Sequence, residues 1–346
     1  MAMSYKGVII ILTALGGVGC LFAHEMHDLK AIHNAKSPYV IENVDINSQE
    51  NGDSNKIIAR KGVLVRHKDA VATIVLAHGY MCDKFDMGFL RNMFPHGKYN
   101  FLSFDFRAHG ENTKGQHCTL GRDEAYDVIA AAKLVRMHPE LKNKPVFLYA
   151  FSMGAVASIE AQAKDSSLFE AMILDCPFDS SETVVKNCLD HIKLSFFGYQ
   201  FEVPGRTILQ KYAFHPYVQS LIKTMLKAVA LMQPRRVETN VFPFHPARSV
   251  AKISVPLFFI HCKSDEKVPV SAIKNLYASA GGPKMLWLTN GRYHYDSYFY
   301  NPELYVERVR SFLDQVMSGQ WRNKNVQKVL EDGQDAEHIG ELYAQR

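Results

Sequence analysis

The chain has 346 residues, of which 47% are hydrophobic and 22% are charged, and this composition excludes a chain that is disordered as a whole. The formal net charge is only +5. Because the lysines and arginines are scattered, without a basic run or stripe, we expect no nucleic-acid partner.

The N-terminal segment is the most apolar part of the sequence. Residues 7–23 carry no charge. The length of this segment is at the lower limit for a membrane-spanning helix and at the upper limit for the apolar region of a signal peptide. We predict that residues 1–27 are an export signal or a membrane anchor, so that the protein is exported or membrane-anchored, in the cell envelope if its source is bacterial. The small residues before Cys20 leave lipidation of that cysteine open.

A polar, turn-rich stretch at residues 28–55 is interpreted as a connector. The core begins after it, in two parts at residues 56–177 and 250–317, where buried strands alternate with helices such as the one predicted at 123–137. This alternation predicts an α/β fold with a mostly parallel, doubly wound sheet. The predicted strands lie at 57–65, 72–77, 100–105, 145–149, 171–174, 257–260 and 285–288, and a further helix at 85–94.

The alternation is interrupted at residues 178–249. Helical spacing predicts helices at 181–196 and 217–232, the second with an apolar stripe that either packs on the core or lines a hydrophobic pocket. We therefore predict a helical cap inserted into the core. Residues 318–346 are predicted to be a charged, peripheral C-terminal tail.

A short motif joins the strand at 145–149 to the helix that follows it. The sequence is Ala150-Phe151-Ser152-Met153-Gly154, and a tight turn with a central serine between strand and helix is typical of the G-x-S-x-G nucleophile elbow. We predict that Ser152 is a nucleophile, although Ala150 replaces the first glycine. The alternative is a serine that caps an ordinary helix.

A serine hydroxyl needs an adjacent base, and the base needs an orienting acid. Asp265 and His294 lie in the loops after the last two predicted strands, so Ser, Asp and His each follow a strand of their own. We predict His294 as the base and Asp265 as the acid. Asp175 and Asp179, after the strand that follows the elbow, remain alternative acids.

Arg107 and the aromatic residues beside His294 leave two interpretations each. Arg107 either binds a substrate carboxylate or forms a buried ion pair. His78 and His109 are interpreted as structural hydrogen-bonding residues, and His261 as part of a strand. The aromatic residues beside His294 either wall the acyl site or pack under the cap; they are Tyr293, Tyr295, Tyr298, Phe299 and Tyr300.

The tetrahedral intermediate of acyl transfer carries a negatively charged oxygen, the oxyanion, which two N–H donors stabilise. We predict the backbone N–H groups of Met153, after the nucleophile, and of Tyr80, in the loop after the strand at 72–77. Gly79 allows close approach of the substrate there.

These motifs together resemble the α/β-hydrolase superfamily from about residue 60 to 315. The similarity to its esterases, lipases and peptidases implies an α/β-hydrolase fold and a serine hydrolase. Ala108 and Ala150 depart from its glycines. The matching residues are His78-Gly79, the segment Asp105-Phe106-Arg107-Ala108-His109-Gly110, the elbow, Asp265 with Val268-Pro269, His294, and Gly121, Glu124 and Asp127.

The function expected is that of a carboxylesterase or lipase-like enzyme. It would cleave a small, hydrophobic acyl ester, or a thioester or amide, through an acyl-enzyme. Because no phosphate loop, dinucleotide fingerprint or H-E-x-x-H sequence occurs, we expect no cofactor and no metal. The alternatives are a serine peptidase and an inactive, membrane-tethered binding protein.

The six cysteines lie far apart, without a C-x-x-C pair. This spacing disfavours a metal cluster or a dense disulfide framework. A bridge between Cys82 and Cys118 stays open.

Overall fold

The computed structural model describes residues 39–50, 52–111, 116–191, 193–196, 199–202, 207, 212, 237–322 and 326–332. The predicted signal or anchor at 1–27 and the predicted cap helix at 217–232 therefore lie outside the described residues.

A nine-stranded sheet forms the centre of the protein, in the order β1-β2-β4-β3-β5-β6-β9-β10-β11. The strands β1 and β2 are antiparallel to their neighbours, and all the other pairings are parallel. The strands are β1 (Tyr39–Glu50), β2 (Asp53–His67), β3 (Ala72–Ala77), β4 (Tyr99–Phe104), β5 (Val146–Phe151), β6 (Ala171–Asp175), β9 (Leu257–Cys262), β10 (Lys284–Thr289) and β11 (Gln327–Glu331).

Helices cover both faces of this sheet. The described helices are α1 (Glu124–Met137), α2 (Met153–Lys164), α3 (Ser181–His191), α4 (Pro246–Val250), α5 (Val270–Ser279), α6 (Asp296–Tyr300), α7 (Pro302–Met317), and 3-10 turns at Gly88–Met93 and Gln320–Arg322. None of the helices in the described ranges has the length and apolarity that crossing a membrane requires.

Two apolar cores result, one on each face of the sheet. One contains Val128 of α1 and Ile273 of α5, and the other contains Val309 and Phe312 of α7. Every residue of β3, β5, β6, β9 and β10 is buried, as expected for parallel strands covered on both faces. The prediction of a mostly parallel, doubly wound sheet is confirmed.

The connector predicted at 28–55 is wrong for residues 39–50, which form β1 and pair antiparallel along β2. Along β1 the buried Ile46 and Ser48 alternate with exposed residues such as Asn47. Because an edge strand keeps polar groups on its open face, its composition resembles that of a linker.

The start of the predicted cap also differs from the expectation. The helix predicted at 181–196 ends at His191, and β7 (Lys193–Phe196) follows and pairs antiparallel with β8 (Tyr199–Glu202). The aromatic residues Phe196, Tyr199 and Phe201 favour strands over a longer helix. The described part of the cap is therefore helical only in part.

The C-terminal tail contributes a strand that the sequence did not predict. Residues 327–331 form β11, which extends the sheet in parallel beside β10, and the Asp332 carboxylate accepts a hydrogen bond of 2.8 Å from the Trp287 indole. Trp321 is 3% exposed and packs on Phe312. The exposed polar residues Gln327 and Lys328 at the start of β11 suit an open sheet edge.

Candidate active site

Ser152 occupies a sharp turn between β5 and α2. Its φ of 46° and ψ of −113° lie in the left-handed half of backbone space, which is strained for a residue with a Cβ atom. The turn is held because the Ser152 N–H donates to the Asp175 carbonyl at 2.8 Å. The strain presents the serine hydroxyl above the carboxyl end of the sheet.

The two small positions around Ser152 have different requirements. A Cβ atom on Gly154 would overlap the carbonyl oxygens of Ala77 and His78, so the start of α2 touches the end of β3 and only glycine fits. Ala150 instead lies in the strand ladder, fully buried, opposite Ala77 on one side and Leu174 on the other. The departure at the first glycine is therefore accommodated within the sheet.

The structure brings Ser152, His294 and Asp265 together in one hydrogen-bonded chain. His294 Nε2 lies 3.0 Å from Ser152 Oγ, and His294 Nδ1 lies 2.6 Å from Asp265 Oδ2. The other carboxylate oxygen of Asp265 accepts the N–H groups of Lys267 and Val268 at 2.8 and 2.9 Å. Ser152 is 8% and His294 7% exposed, so both residues are buried.

The electrostatics of this chain favour an ionised Asp265. Burial raises the pKa of its carboxyl, but His294, His261 and the Val268 N–H lower it more and hold the pKa at about 2. A carboxylate that is charged at neutral pH can fix the tautomer of an adjacent imidazole and stabilise its protonated form.

The alternative acids have other partners. The Asp175 carboxylate accepts the Tyr305 hydroxyl at 2.6 Å and the Cys176 thiol at 3.1 Å, and burial raises its pKa to about 6. Asp179 accepts a hydrogen bond from the Asn275 amide. Asp265, by contrast, bonds directly to His294.

The other histidines near the site are engaged in structural hydrogen bonds. His78 Nε2 accepts the Phe106 N–H at 3.1 Å, and His109 Nδ1 lies 2.8 Å from the Arg107 carbonyl. His261 is fully buried in β9 with Nε2 on the Val268 carbonyl, and burial lowers the pKa of its imidazole.

Arg107 forms the buried ion pair that was one of its two interpretations. Its guanidinium bonds to both carboxylate oxygens of Asp127 at 3.0 and 3.1 Å, and Arg60 reaches the same carboxylate at 3.0 Å. The cluster anchors the loop after β4 to helix α1.

The two segments that carry the predicted oxyanion donors lie side by side. Met153 is the first residue of α2, where a backbone N–H has no partner within the helix and belongs to the positive end of the helix dipole. Tyr80 follows β3, whose end contacts α2 at Gly154. The placement is compatible with two converging N–H groups.

Sequence reasoning missed the position of Tyr295, which it grouped only with the neighbouring aromatic residues. Its ring packs on the His294 ring with centroids 4.1 Å apart. A Cβ atom on Gly79 would overlap the Tyr295 hydroxyl oxygen, so this hydroxyl lies against the loop that carries Tyr80. Its adjacency to His294 was the one available signal.

One group of possible metal ligands occurs among the described residues: Cys176, Asp265 and His294, whose donor atoms lie within 4.8 Å of one another. The Asp265–His294 hydrogen bond and the Cys176 thiol on the Asp175 carboxylate account for this grouping. Burial raises the pKa of Cys176 well above its ordinary value, so it stays a thiol rather than the thiolate that a metal prefers.

The structure forms no disulfide among Cys82, Cys118, Cys176 and Cys262, the cysteines whose side chains it describes. A bridge between Cys82 and Cys118 is therefore not formed.

Comparison with known proteins places this architecture among hydrolases. The alpha/beta hydrolase family, by its sequence profile, matches residues 74–308. The uncharacterized protein YqkD of Bacillus subtilis is 28% identical over 260 residues, which cover 73% of this chain and 75% of YqkD. The uncharacterized protein YfhR of Escherichia coli is 24% identical over 249 residues, 71% of each chain.

Two solved structures illustrate the similarity of fold. The esterase Pf2001 of Pyrococcus furiosus superposes with a TM-score of 0.56 at 21% identity, covering 80% of this chain and 93% of the esterase. An acylaminoacyl peptidase of Pyrococcus horikoshii gives a TM-score of 0.53 at 14% identity, covering 83% of this chain and 42% of the peptidase.

Proposed function

Since the chain belongs to the alpha/beta hydrolase family and is a hydrolase, we propose that it is a serine hydrolase that cleaves a carboxylic ester through an acyl-enzyme. The observation that carries this proposal is the hydrogen-bonded chain from Ser152 through His294 to Asp265, with distances of 3.0 and 2.6 Å. This arrangement is the one that activates a serine hydroxyl.

In the acylation step, Ser152 Oγ attacks the ester carbonyl carbon while its proton passes to His294 Nε2. Asp265 stabilises the imidazolium that forms, because its carboxylate is already ionised and bonded to Nδ1. The proton on Nε2 then passes to the departing alcohol, and an acyl-serine remains. Water repeats the sequence with the same base and releases the acid.

The oxyanion is the second element of the proposal. When the carbonyl carbon becomes tetrahedral, its oxygen carries a negative charge that N–H donors stabilise, and loss of one donor lowers kcat by about 10²- to 10³-fold. The Met153 N–H at the start of α2 and the Tyr80 N–H after β3 are assigned this role, because their two segments are in contact.

The substrate class is proposed to be a small ester with an apolar acyl group, as in a carboxylesterase. Aromatic side chains that follow His294 support an apolar partner: Phe299 and Tyr300 are exposed, and Phe299 lies beside the Phe89 ring. No cofactor enters these steps, because nucleophile, base and acid are all side chains of the chain itself.

A serine peptidase is the second candidate. The similarity in fold to an acylaminoacyl peptidase favours it, although the same fold also hosts the esterase Pf2001. A peptide bond needs the same nucleophile and base, but departure of its amine depends more on protonation by the histidine than departure of an alcohol does, so relative rates on esters and amides separate the two.

The test compares p-nitrophenyl esters of increasing acyl length with peptide anilides, using the purified full-length protein. We expect ester hydrolysis that falls by about 10⁴-fold or more in Ser152→Ala. Ser158→Ala is the matched control, because that buried hydroxyl bonds only within α2, to the Gly154 carbonyl. If Ser152→Ala turned over esters as fast as the wild type, the assignment of the nucleophile would be overturned. If the wild type cleaved anilides faster than esters, the protein would be a peptidase. A wild type that cleaves neither would favour the binding-protein alternative.

The cellular location is also a proposal. We assign the apolar segment at 7–23 as an export signal or membrane anchor, which would place the active site at or beyond a membrane. Fractionation of cells that express the full chain, compared with a variant that lacks residues 1–27, tests this: the full chain should be membrane-bound or exported. Retention of both forms in the soluble cytoplasmic fraction would contradict it.

A further inference from the structure

The Tyr295 hydroxyl lies against the predicted oxyanion loop, and its ring packs beside the His294 ring. Its ring is fixed from two sides, by the His294 ring at 4.1 Å and the Phe151 ring at 5.9 Å between centroids. At its tip, a Cβ atom on Gly79 would overlap the hydroxyl oxygen and lie 2.9 Å from Cζ. The hydroxyl therefore rests directly on the backbone of Gly79, next to the Tyr80 N–H.

A strained backbone directs the side chain to this place. Tyr295 has a φ of 69° and a ψ of 11°, a left-handed conformation that is unfavourable for an aromatic residue. The turn is held by the Asp296 N–H on the Tyr293 carbonyl at 3.1 Å and the Arg292 N–H on the Asp296 carboxylate at 2.7 Å. Such strain persists where the surrounding structure imposes it, and it is concentrated at functional sites.

The hydroxyl is chemically suited to donate a hydrogen bond. Burial raises the pKa of Tyr295 well above its ordinary value, while a hydrogen bond with the Ser152 side chain acts in the opposite direction. The group therefore keeps its proton across the range in which a serine hydrolase works. It is a neutral O–H donor at the tip of a ring that packs on His294, and it lies against the loop that carries Tyr80.

We propose that the Tyr295 hydroxyl is a catalytic residue, a third donor to the oxyanion beside the Met153 and Tyr80 N–H groups; this rests on the serine-hydrolase mechanism proposed above. In the free enzyme the O–H group lies on the Gly79 backbone and interacts with the Ser152 side chain. In the tetrahedral intermediate Oγ and the oxyanion are bonded to the same carbon, so a small movement transfers the hydrogen bond from one oxygen to the other. No proton leaves the tyrosine.

This role also explains why position 79 is glycine. Any side chain there would occupy the volume of the Tyr295 hydroxyl and push it away from the oxyanion. The requirement comes from the tyrosine itself, in addition to the close approach of the substrate.

The test is Tyr295→Phe in the full-length protein, which keeps the ring against His294 and Phe151 and removes only the hydroxyl. Two substrates are compared: p-nitrophenyl acetate, and the thionoester in which sulfur replaces the carbonyl oxygen. Sulfur is a weak hydrogen-bond acceptor, so an oxyanion donor matters less to the thionoester. The matched control is Tyr277→Phe, whose hydroxyl donates to the Lys328 carbonyl at the β11 edge.

We expect Tyr295→Phe to lower kcat on the oxygen ester by on the order of 10- to 100-fold with KM nearly unchanged, and to lower it clearly less on the thionoester. Tyr277→Phe should change neither rate. Because both substrates are measured on the same sample, the ratio of the two losses does not depend on the folded fraction.

Three results would overturn the inference. Unchanged kcat in Tyr295→Phe would mean that the hydroxyl is not used, and a higher kcat would mean that it blocks the oxyanion position. An equal loss on both substrates would assign it to positioning His294. If the wild type itself neither hydrolyses esters nor reacts with a fluorophosphonate, the proposed function fails first, independently of Tyr295.

Discussion

The buried carboxylates of Asp127 and Asp265 both have a lowered pKa, but the side chains that lower it differ. Burial raises the pKa of each, and neighbouring charges lower it more, to about 2 in both cases. Asp127 is surrounded by the permanent cations Arg107 and Arg60. Asp265 instead faces His294, which is charged only when protonated.

The difference shows that a lowered pKa by itself does not identify an active site. The Asp127 cluster is closed: both carboxylate oxygens are saturated by donors that cannot release a proton at physiological pH. The Asp265 chain continues through an imidazole, which can take up and release a proton, to the hydroxyl of Ser152. The first arrangement stabilises a fold, and the second can carry out a reaction.

The largest effect is expected for Asp265→Asn. Loss of the charge removes the group that fixes the His294 tautomer and stabilises the imidazolium, so kcat on an ester should fall by about 10⁴-fold while the fold is kept. The measurement is kcat beside a circular dichroism spectrum. Asp179→Asn is the matched control and should retain activity; a large loss there, with an active Asp265→Asn, would move the acid to the loop after β6.

For Asp127→Asn we expect the opposite result, a loss of stability with activity retained. This change leaves the guanidinium groups of Arg60 and Arg107 buried without a counter-charge, which typically destabilises a protein by about 3–5 kcal/mol. The free energy of unfolding in urea measures it. Activity per folded molecule should stay within about tenfold of the wild type; a stable variant with lost turnover would contradict the structural role of the cluster.

A third buried carboxylate, Asp175, accepts hydrogen bonds from the neutral Tyr305 hydroxyl and Cys176 thiol, and burial raises its pKa to about 6. Because the folded protein then binds this proton more tightly than the unfolded chain, the contribution of Asp175 to stability falls as the pH rises from about 4 to about 6, by up to about 3 kcal/mol. Asp175→Asn keeps an acceptor for the Tyr305 hydroxyl and removes the buried charge.

The variant Asp175→Asn should therefore gain stability over the wild type at pH 8 and gain much less at pH 4. Urea unfolding of both proteins at the two pH values measures the difference. A gain of equal size at both values would show that the carboxylate is not desolvated as the structure indicates.

The smallest effect is expected at the exposed pair of Lys61 and Asp45, whose charged atoms are 2.6 Å apart at the open edge of the sheet. Exposed pairs contribute about 0–1 kcal/mol, because water and salt screen them. Lys61→Ala should thus leave the free energy of unfolding almost unchanged and serves as the surface control for Asp127→Asn. A loss comparable to that of Asp127→Asn would contradict the distinction between closed and exposed charge pairs.

The parts of the protein that the sequence predicted are those with local signals. Buried parallel strands have continuous apolar runs, and turn motifs after them placed Ser152, Asp265 and His294 in loops that the structure brings within hydrogen-bonding distance. Their catalytic roles stay predictions until they are measured. The predicted fold class is confirmed. It was predictable because strands and helices alternate over more than 200 residues.

The parts that the sequence did not predict depend on tertiary context. The edge strands β1 and β11 carry polar residues on their open sides, so their composition resembles that of a linker or a tail. The direction of Tyr295 depends on one left-handed residue, which no periodic pattern reveals. The pairing of Arg107 with Asp127 joins residues that are 20 positions apart, and only the packing of α1 against the β4 loop brings them together.

The central claim is that Ser152 is an activated nucleophile, and covalent labelling tests it most directly. The folded full-length protein is treated with a fluorophosphonate, with Ser152→Ala beside it, and both are analysed by intact mass. The account predicts a single adduct on the wild type, located on Ser152 by peptide mapping, and none on Ser152→Ala. An unlabelled wild type, or equal labelling of the two proteins, would contradict it.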